Sequence, residues 1–266
     1  MTNGVRQGSI LSPYFFNAYV DDLSIKLNNL DIGCVIGSLI VNHLLYADDL
    51  VLISPSSRGL YRLLRECEQY GLENDIVFNA SKSSVMCFKS KSTSNFKIPD
   101  FYLNNNVIPI EKSFKYLGHH LLDTGSDALD IDRQRKKIFI QGNSLIRRFY
   151  MCTVDVKLTL FQSFCAPMYT AHLWTRYTNY DISKLFRAYH NTLKMLLGLS
   201  KREHTSPICA FLNVRSCQAV IRNFVFRFMV RLKNSSNSIV QAICWTSIYY
   251  KSSIWKHWRS LLYTNV

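Results

Sequence analysis

Apolar positions along the chain change period several times, and each period predicts an element. Phe16, Tyr19, Val20, Leu23 and Leu27 recur at helical spacing behind Ser12-Pro13, an N-cap and first-turn pair, so residues 1–30 read as a loop and then a helix. Residues 34–54 read as two or three strands, because the apolar runs 44–47 and 50–53 flank an acidic pair in the pattern strand, tight turn, strand. Residues 56–74 predict an amphipathic helix with Leu60, Leu63, Leu64, Cys67 and Tyr70 on one side. Short strands are expected at 76–78 and 84–88, around 79–83, and the Lys-, Ser- and Asn-rich stretch 89–98 predicts a surface loop. Residues 103–110 read as a hairpin with an Asn-rich turn and 114–121 as a further strand. From about residue 127 the pattern is helical nearly to the end. The fold class is therefore α+β, with a mixed unit over 1–125 and an all-helical one over 126–266.

Composition narrows the class. An apolar share of 48% and an aromatic share of 13% argue for a packed chain over disorder. No uncharged apolar run reaches about 18 residues, so no membrane span or membrane partner is expected. Met1-Thr2-Asn3-Gly4 has neither a charged nor an apolar leader character, which predicts an intracellular protein (cytoplasm, nucleus or both) and not a secreted one. The eight cysteines are scattered without a C-x-x-C pair and are expected as small apolar residues. His204, Cys209 and Cys217 have loose metal-like spacing but no fourth ligand in register. Charge is uneven: residues 1–79 hold 5 Lys/Arg against 9 Asp/Glu, residues 80–132 hold 6 of each, and residues 133–266 hold 21 against 3. A balance of +18 in the last stretch points to a polyanion partner, with a solvated basic helical surface as the plainer alternative.

Two acidic pairs compete for the chemistry, Tyr19-Val20-Asp21-Asp22 and Tyr46-Ala47-Asp48-Asp49. Adjacent carboxylates repel unless a cation sits on them, and a divalent metal is the usual one. Asp21 and Asp22 fall mid-helix and partly face solvent. Asp48 and Asp49 are expected at the rigid tip of a buried hairpin, where a metal site can be built.

Gly4-Val5-Arg6-Gln7-Gly8-Ser9-Ile10-Leu11-Ser12-Pro13, followed by Phe16-Asn17-Ala18-Tyr19-Val20-Asp21-Asp22-Leu23, resembles the B motif of reverse transcriptases, and Leu44-Leu45-Tyr46-Ala47-Asp48-Asp49 resembles their C motif. The wording is most similar to that of non-LTR (LINE-type) retrotransposon enzymes. Tyr19-Val20-Asp21-Asp22 spells a retroviral catalytic box, but its helical setting just after the B motif argues against that role.

The resemblance implies a partial polymerase palm of β-hairpins and helices, followed by a mostly α-helical thumb and C-terminal region. It implies two-metal nucleotidyl transfer with Mg2+ or Mn2+, Asp48 as a metal-binding acid and Asp49 as its less critical neighbour. Arg6, Gln7 and Gly8 would flank nucleotide and template, and Lys82 would be the D-motif general acid for pyrophosphate. Leu117, Gly118 and His119, within Tyr116-Leu117-Gly118-His119, would be the E motif or primer grip. Arg133, Arg135, Lys136, Lys137, Arg147 and Arg148 would contact phosphates, and Arg222, Arg227 and Arg231 mark a later helix with one apolar and one basic face. The implied substrates are an RNA template, a DNA primer and deoxynucleoside triphosphates; protein partners are left open. Family members carry fingers and an A motif before the B motif, and that A motif supplies the other metal-binding aspartate. No counterpart occurs in the 266 residues, so a retrotransposon polymerase fragment, inactive as this chain, is expected. The alternative is a non-catalytic nucleic-acid-binding remnant that uses the basic half.

Overall fold

The computed structural model describes residues 10–88 and 97–263. The chain divides into two compact units, Met1–Glu111 with Ser236–Thr246, and Lys112–Ser235 with Ser247–Val266.

The first unit holds helix α1 (Ser12–Asn28), strands β1 (Cys34–Ile36), β2 (Leu39–Val41), β3 (His43–Tyr46) and β4 (Asp49–Leu52), helix α2 (Ser57–Glu73), a 3-10 turn (Ala80–Lys82), and strands β5 (Phe101–Leu103) and β6 (Asn106–Ile108). Among the described residues these strands pair as antiparallel hairpins, β1–β2, β3–β4 and β5–β6. Isolated two-stranded ribbons are marginal in water, so packing on the helices must hold them. Leu23 and Leu27 of α1 meet Leu63, Cys67 and Tyr70 of α2, with Leu50 and Leu52 of β4 packed against them. Leu64 on the neighbouring flank of α2 packs with Phe101, Leu103 and Ile108. Polar ties add to this: the Tyr70 hydroxyl donates to the Tyr19 carbonyl at 2.5 Å, and Tyr19 donates to that of Asn74. Ser56 caps α2, accepting from the Gly59 amide at 3.1 Å.

Three expectations need correction here. Ser12 is the first residue of α1 and not its cap, because Leu11 already has helical backbone angles and no side chain caps the helix. Residues 76–78 and 84–88 form no strand; one parallel bridge joins Val85 to Ile110, with Val85 donating to the Pro109 carbonyl. Proline carries no N–H, so the ladder cannot extend from this bridge toward residue 83. Of the expected 89–98 loop, residues 89–96 lie outside the described residues. The Asn-rich hairpin is present, with Asn104 and Asn105 at φ 50° and 61°, the left-handed pair of a type I′ turn.

The second unit opens with the hairpin β7 (Ser113–Tyr116) and β8 (His119–Leu122), where sequence periodicity suggests a single strand. Leu117 and Gly118 reverse the chain at φ 45° and 81°. Helices α3 (Ala128–Arg148), α4 (Val154–Phe164), α5 (Asn179–Leu196), α6 (Thr205–Phe211) and α7 (Cys217–Lys233) follow, with a 3-10 turn at Ala171–Leu173. Helix α8 (Ser238–Trp245) returns to the first unit, where it lies against β1 and β2, and α9 (Ser247–Lys251) and α10 (Ser253–Tyr263) belong to the second. The second unit has one large core, in which Ile138 and Leu145 of α3, Phe161 of α4, Leu185 and Leu193 of α5 and Val225 of α7 are buried. A β-carbon at Gly142 would stand 2.1 Å from Thr192 Cγ2, which is how closely α3 and α5 approach. A Thr178–Asp181 capping box starts α5.

The change from strands to helices falls between β8 and α3, where sequence pattern puts 125, whereas the compact units divide after Glu111. Among the described residues no helix is long and apolar enough to cross a membrane. All eight cysteines are free, and Cys67, Cys165, Cys209 and Cys217 are buried; burial pushes the thiol of Cys67 up to about 12 and that of Cys165 to about 11.

Candidate functional site

The second acidic pair lies at the tip of the β3–β4 hairpin. Tyr46 pairs with Asp49, leaving Ala47 and Asp48 as a two-residue turn. Ala47 has φ 52° and Asp48 does not share the positive sign, the handedness of a type II′ turn. A left-handed backbone at a residue with a β-carbon costs roughly 1–2 kcal/mol, held in place here by the strands on either side. Contrary to expectation the hairpin is not buried: Leu44 and Tyr46 face solvent, Tyr46 at 63% exposure, and Asp48 and Asp49 are both exposed. The short strands pack one edge on α2 and leave the other face open.

The base of this hairpin is fixed to α1 by a polar relay. Buried Asn42 donates through Nδ2 to the Leu27 carbonyl at 2.6 Å. That leaves its Oδ1 to accept from His43 Nδ1, also at 2.6 Å, and His43 Nε2 then accepts from Ser24 Oγ at 2.8 Å. Burial lowers the pKa of His43, which favours the neutral ring that this relay needs. Sequence periodicity does not reveal this tie between helix and hairpin.

Asp48 and Asp49 are hard oxygen donors of the kind that Mg2+ and Mn2+ prefer. They fit as part of a coordination shell, and among the described residues no group of three His, Cys, Asp or Glu side chains closes one, at this tip or around His204, Cys209 and Cys217. Asp21 and Asp22 are exposed on mid-α1. Lys82 is exposed at the end of the 3-10 turn, its amide bonded to Asn79 Oδ1 at 3.2 Å. No ion pair joins it to the acidic tip among the described residues. Arg6, Gln7 and Gly8 lie outside the described residues.

In the second unit Leu117 and Gly118 form the β7–β8 turn, and a β-carbon at Gly118 would stand 3.7 Å from the Tyr169 ring. His119 is buried. Its Nδ1 lies 3.1 Å from Asp130 Oδ2 and its Nε2 3.7 Å from Asp127 Oδ1. Asp130 is wholly buried and accepts at 2.5 Å from Thr170 Oγ1, at 2.8 Å from Trp174 Nε1, at 3.2 Å from the His120 amide, and at 2.9 and 2.7 Å from Arg133. Burial alone would push its carboxyl up; the hydrogen bonds from His119, Thr170, Trp174 and Arg133 more than reverse that and hold it well below the usual carboxylate range.

The basic residues of α3 are thus unequal. Arg133 is committed to Asp130, and Arg135 and Lys136 pair with Asp132 at 2.7 and 2.9 Å. Lys137, Arg147 and Arg148 have no ion pair among the described residues, and Arg147 and Arg148 are exposed in the last turn of α3. On α7, Val220, Ile221, Val225 and Met229 are buried while Arg227 and Arg231 face solvent, Arg231 over the Phe228 ring.

Residues 1–121 match the family model described as reverse transcriptase (RNA-dependent DNA polymerase). The chain is 33% identical over 128 residues to the retrovirus-related Pol polyprotein from type-2 retrotransposable element R2DM of Drosophila melanogaster, covering 46% of this chain and 12% of that protein. It is 32% identical over 123 residues to the corresponding polyprotein from type-1 retrotransposable element R2 of Popillia japonica, covering 44% of this chain and 17% of the relative. The chain therefore aligns with less than a fifth of either relative's length. Residues 1–121 of this chain are thus similar to reverse transcriptases, and the stretch aligned with the two relatives is similar to part of the Pol polyproteins of R2-type retrotransposable elements.

Proposed function

We propose that the chain carries the B-to-E part of an RNA-directed DNA polymerase, with the first unit contributing palm and the second contributing primer grip and thumb. The observation that supports this best is the acidic pair on a tight hairpin tip, inside the stretch that matches the family. Asp48 would hold Mg2+ or Mn2+, with Asp49 beside it, and bound metal of this kind activates the primer 3′-hydroxyl and stabilises departing pyrophosphate. The Asn42–His43–Ser24 relay keeps the hairpin base on α1 and so fixes where the carboxylates stand. Lys82 is free to donate a proton to the leaving group. Leu117 and Gly118 present backbone to the primer, and Arg147 and Arg148 offer cations to duplex phosphates. RNA template, DNA primer and deoxynucleoside triphosphates are the substrates.

Among the described residues no third carboxylate joins Asp48 and Asp49, so we expect primer extension by the 266 residues alone at background rate in Mg2+ or Mn2+. Each ~1.4 kcal/mol of lost charge stabilisation is about tenfold in rate. Robust extension by the purified chain, abolished by Asp48→Ala, would show that the site is complete without an A-motif aspartate. A second reading, a non-catalytic nucleic-acid-binding chain, is favoured by the +18 balance of residues 133–266. Salt-sensitive duplex binding with no metal-dependent nucleotide addition, even when a polypeptide bearing motif A is supplied, is the result it expects.

A further inference from the structure

We infer that Asp130 is a positioning residue for the Leu117–Gly118 turn, clamping the hairpin that presents the primer 3′ end. The inference rests on reading residues 116–119 as the primer grip. Six donors converge on the two oxygens of Asp130, and two of them, His119 Nδ1 and the His120 amide, belong to the first two residues after the turn. The others come from the same helix through Arg133 and from the 170–174 segment through Thr170 and Trp174. The return strand is thus bolted where it leaves the turn, and Tyr169, one residue from Thr170, backs Gly118. Asp127 reinforces the arrangement, accepting from the Thr175 and Arg176 amides at 2.7 and 2.8 Å while facing His119. A buried carboxylate is a poor way to gain stability compared with apolar packing. A fully saturated one fixes direction, because every donor must keep its angle to a single small acceptor. Direction is what a turn needs in order to hold a primer end in register.

Thr170 separates this role from plain packing, since it is buried and its hydroxyl donates to Asp130. Thr170→Val keeps volume and removes the hydroxyl donor; Thr170→Ser keeps the donor and removes a methyl. Amide hydrogen exchange of the folded 266-residue chain should speed up across residues 116–119 in Thr170→Val and stay near wild type in Thr170→Ser, with residues 43–52 unchanged in both. Binding should be measured to an RNA–DNA duplex with a recessed primer 3′ end and to the same duplex made blunt. Wild type should prefer the recessed end, Thr170→Val should lose about tenfold of that preference at unchanged salt slope, and Thr170→Ser should retain it. Asp130→Asn, where it folds, should act like Thr170→Val and more strongly. Equal exchange in the Val and Ser variants would overturn the clamp itself. Altered exchange without any change in end preference would overturn its role in positioning primer. A wild-type chain that binds neither duplex would overturn the primer-grip reading and this inference with it.

Discussion

Burial pushes the His172 imidazole down from 6.5 to about 4, with Arg231 and His119 adding to the effect, and its Nδ1 has no hydrogen-bond partner among the described residues. The folded ring resists a proton that the unfolded ring accepts, so its contribution is complete above about 6.5 and is lost as pH falls toward 4. Asp130 also has a depressed folded pKa, but its stabilisation is complete above the ordinary 3.8 and is lost only on further acidification. Thermal unfolding of the second unit should therefore weaken in two stages, the first costing ~1–2 kcal/mol after discounting for the partly exposed His172 ring. His172→Phe should shrink the first stage, to which His120, His190 and His257, also lowered by burial, contribute, and Asp130→Asn should shrink the second; a flat stability profile from pH 7 to 4 would contradict this assignment. Arg133 was legible in sequence only as one more cation, and its ion pair with the buried Asp130 changes what a charge reversal means. Arg133→Glu should destabilise by about 3–5 kcal/mol, because it takes the cation from buried Asp130 and sets a like charge beside it, and circular dichroism melts would register it. The signal for Asp130 was present: it shares the helical face of Ile131, Gln134, Ile138 and Leu145, all buried, so a carboxylate there must find donors.

At the scale of elements, helices with an apolar stripe were readable because 3.6-residue periodicity survives in α1, α2 and α7, and the acidic pair between two apolar runs specified the β3–β4 hairpin. Periodicity failed where partners decide. Residues 84–88 have strand-like composition but make one isolated bridge, Val85 to Ile110, and residues 114–121 conceal a turn at Leu117-Gly118 that leucine does not advertise. The strain at Ala47 gives a test of the hairpin. Ala47→Gly removes the β-carbon penalty at φ 52° and should stabilise the first unit by ~0.5–1 kcal/mol, after the glycine entropy cost is subtracted. A lower melting temperature for Ala47→Gly would mean that the turn is not held in this conformation in solution. In the second unit Gly142→Ala should cost about 1–3 kcal/mol, since the new methyl must displace Thr192, and a neutral result in thermal melts would show that α3 and α5 are less closely packed than 2.1 Å implies.

Over the whole molecule, charge was the most legible property and the least specific one. The +18 excess of residues 133–266 is visible from composition, yet the structure sorts those cations by what already neutralises them. Arg133, Arg135 and Lys136 face carboxylates within the same helix, so reversing them mainly breaks internal pairs. Arg147 and Arg148 have no such partner among the described residues and stand exposed at the C-terminal turn, where the helix dipole also favours them. Affinity of the chain for an RNA–DNA duplex should therefore fall steeply with salt and show little sequence preference, because phosphate contacts position without specifying. Joint reversal of Arg147 and Arg148 to Glu should reduce the log–log salt slope by roughly 0.7–0.9 for each phosphate that is no longer neutralised, at a stability cost of ~0.3–1 kcal/mol per residue from the dipole. Reversing Arg135 and Lys136 should change the slope less, and Asp48→Ala should leave it unaltered, since the acidic tip contributes no cation. The measurement is fluorescence anisotropy at several salt concentrations, with melting curves confirming that each variant is folded. If the Arg147 and Arg148 reversals leave a steep slope untouched, the end of α3 is not on the path of the duplex, and the cations that grip it must be sought on α5 or α7.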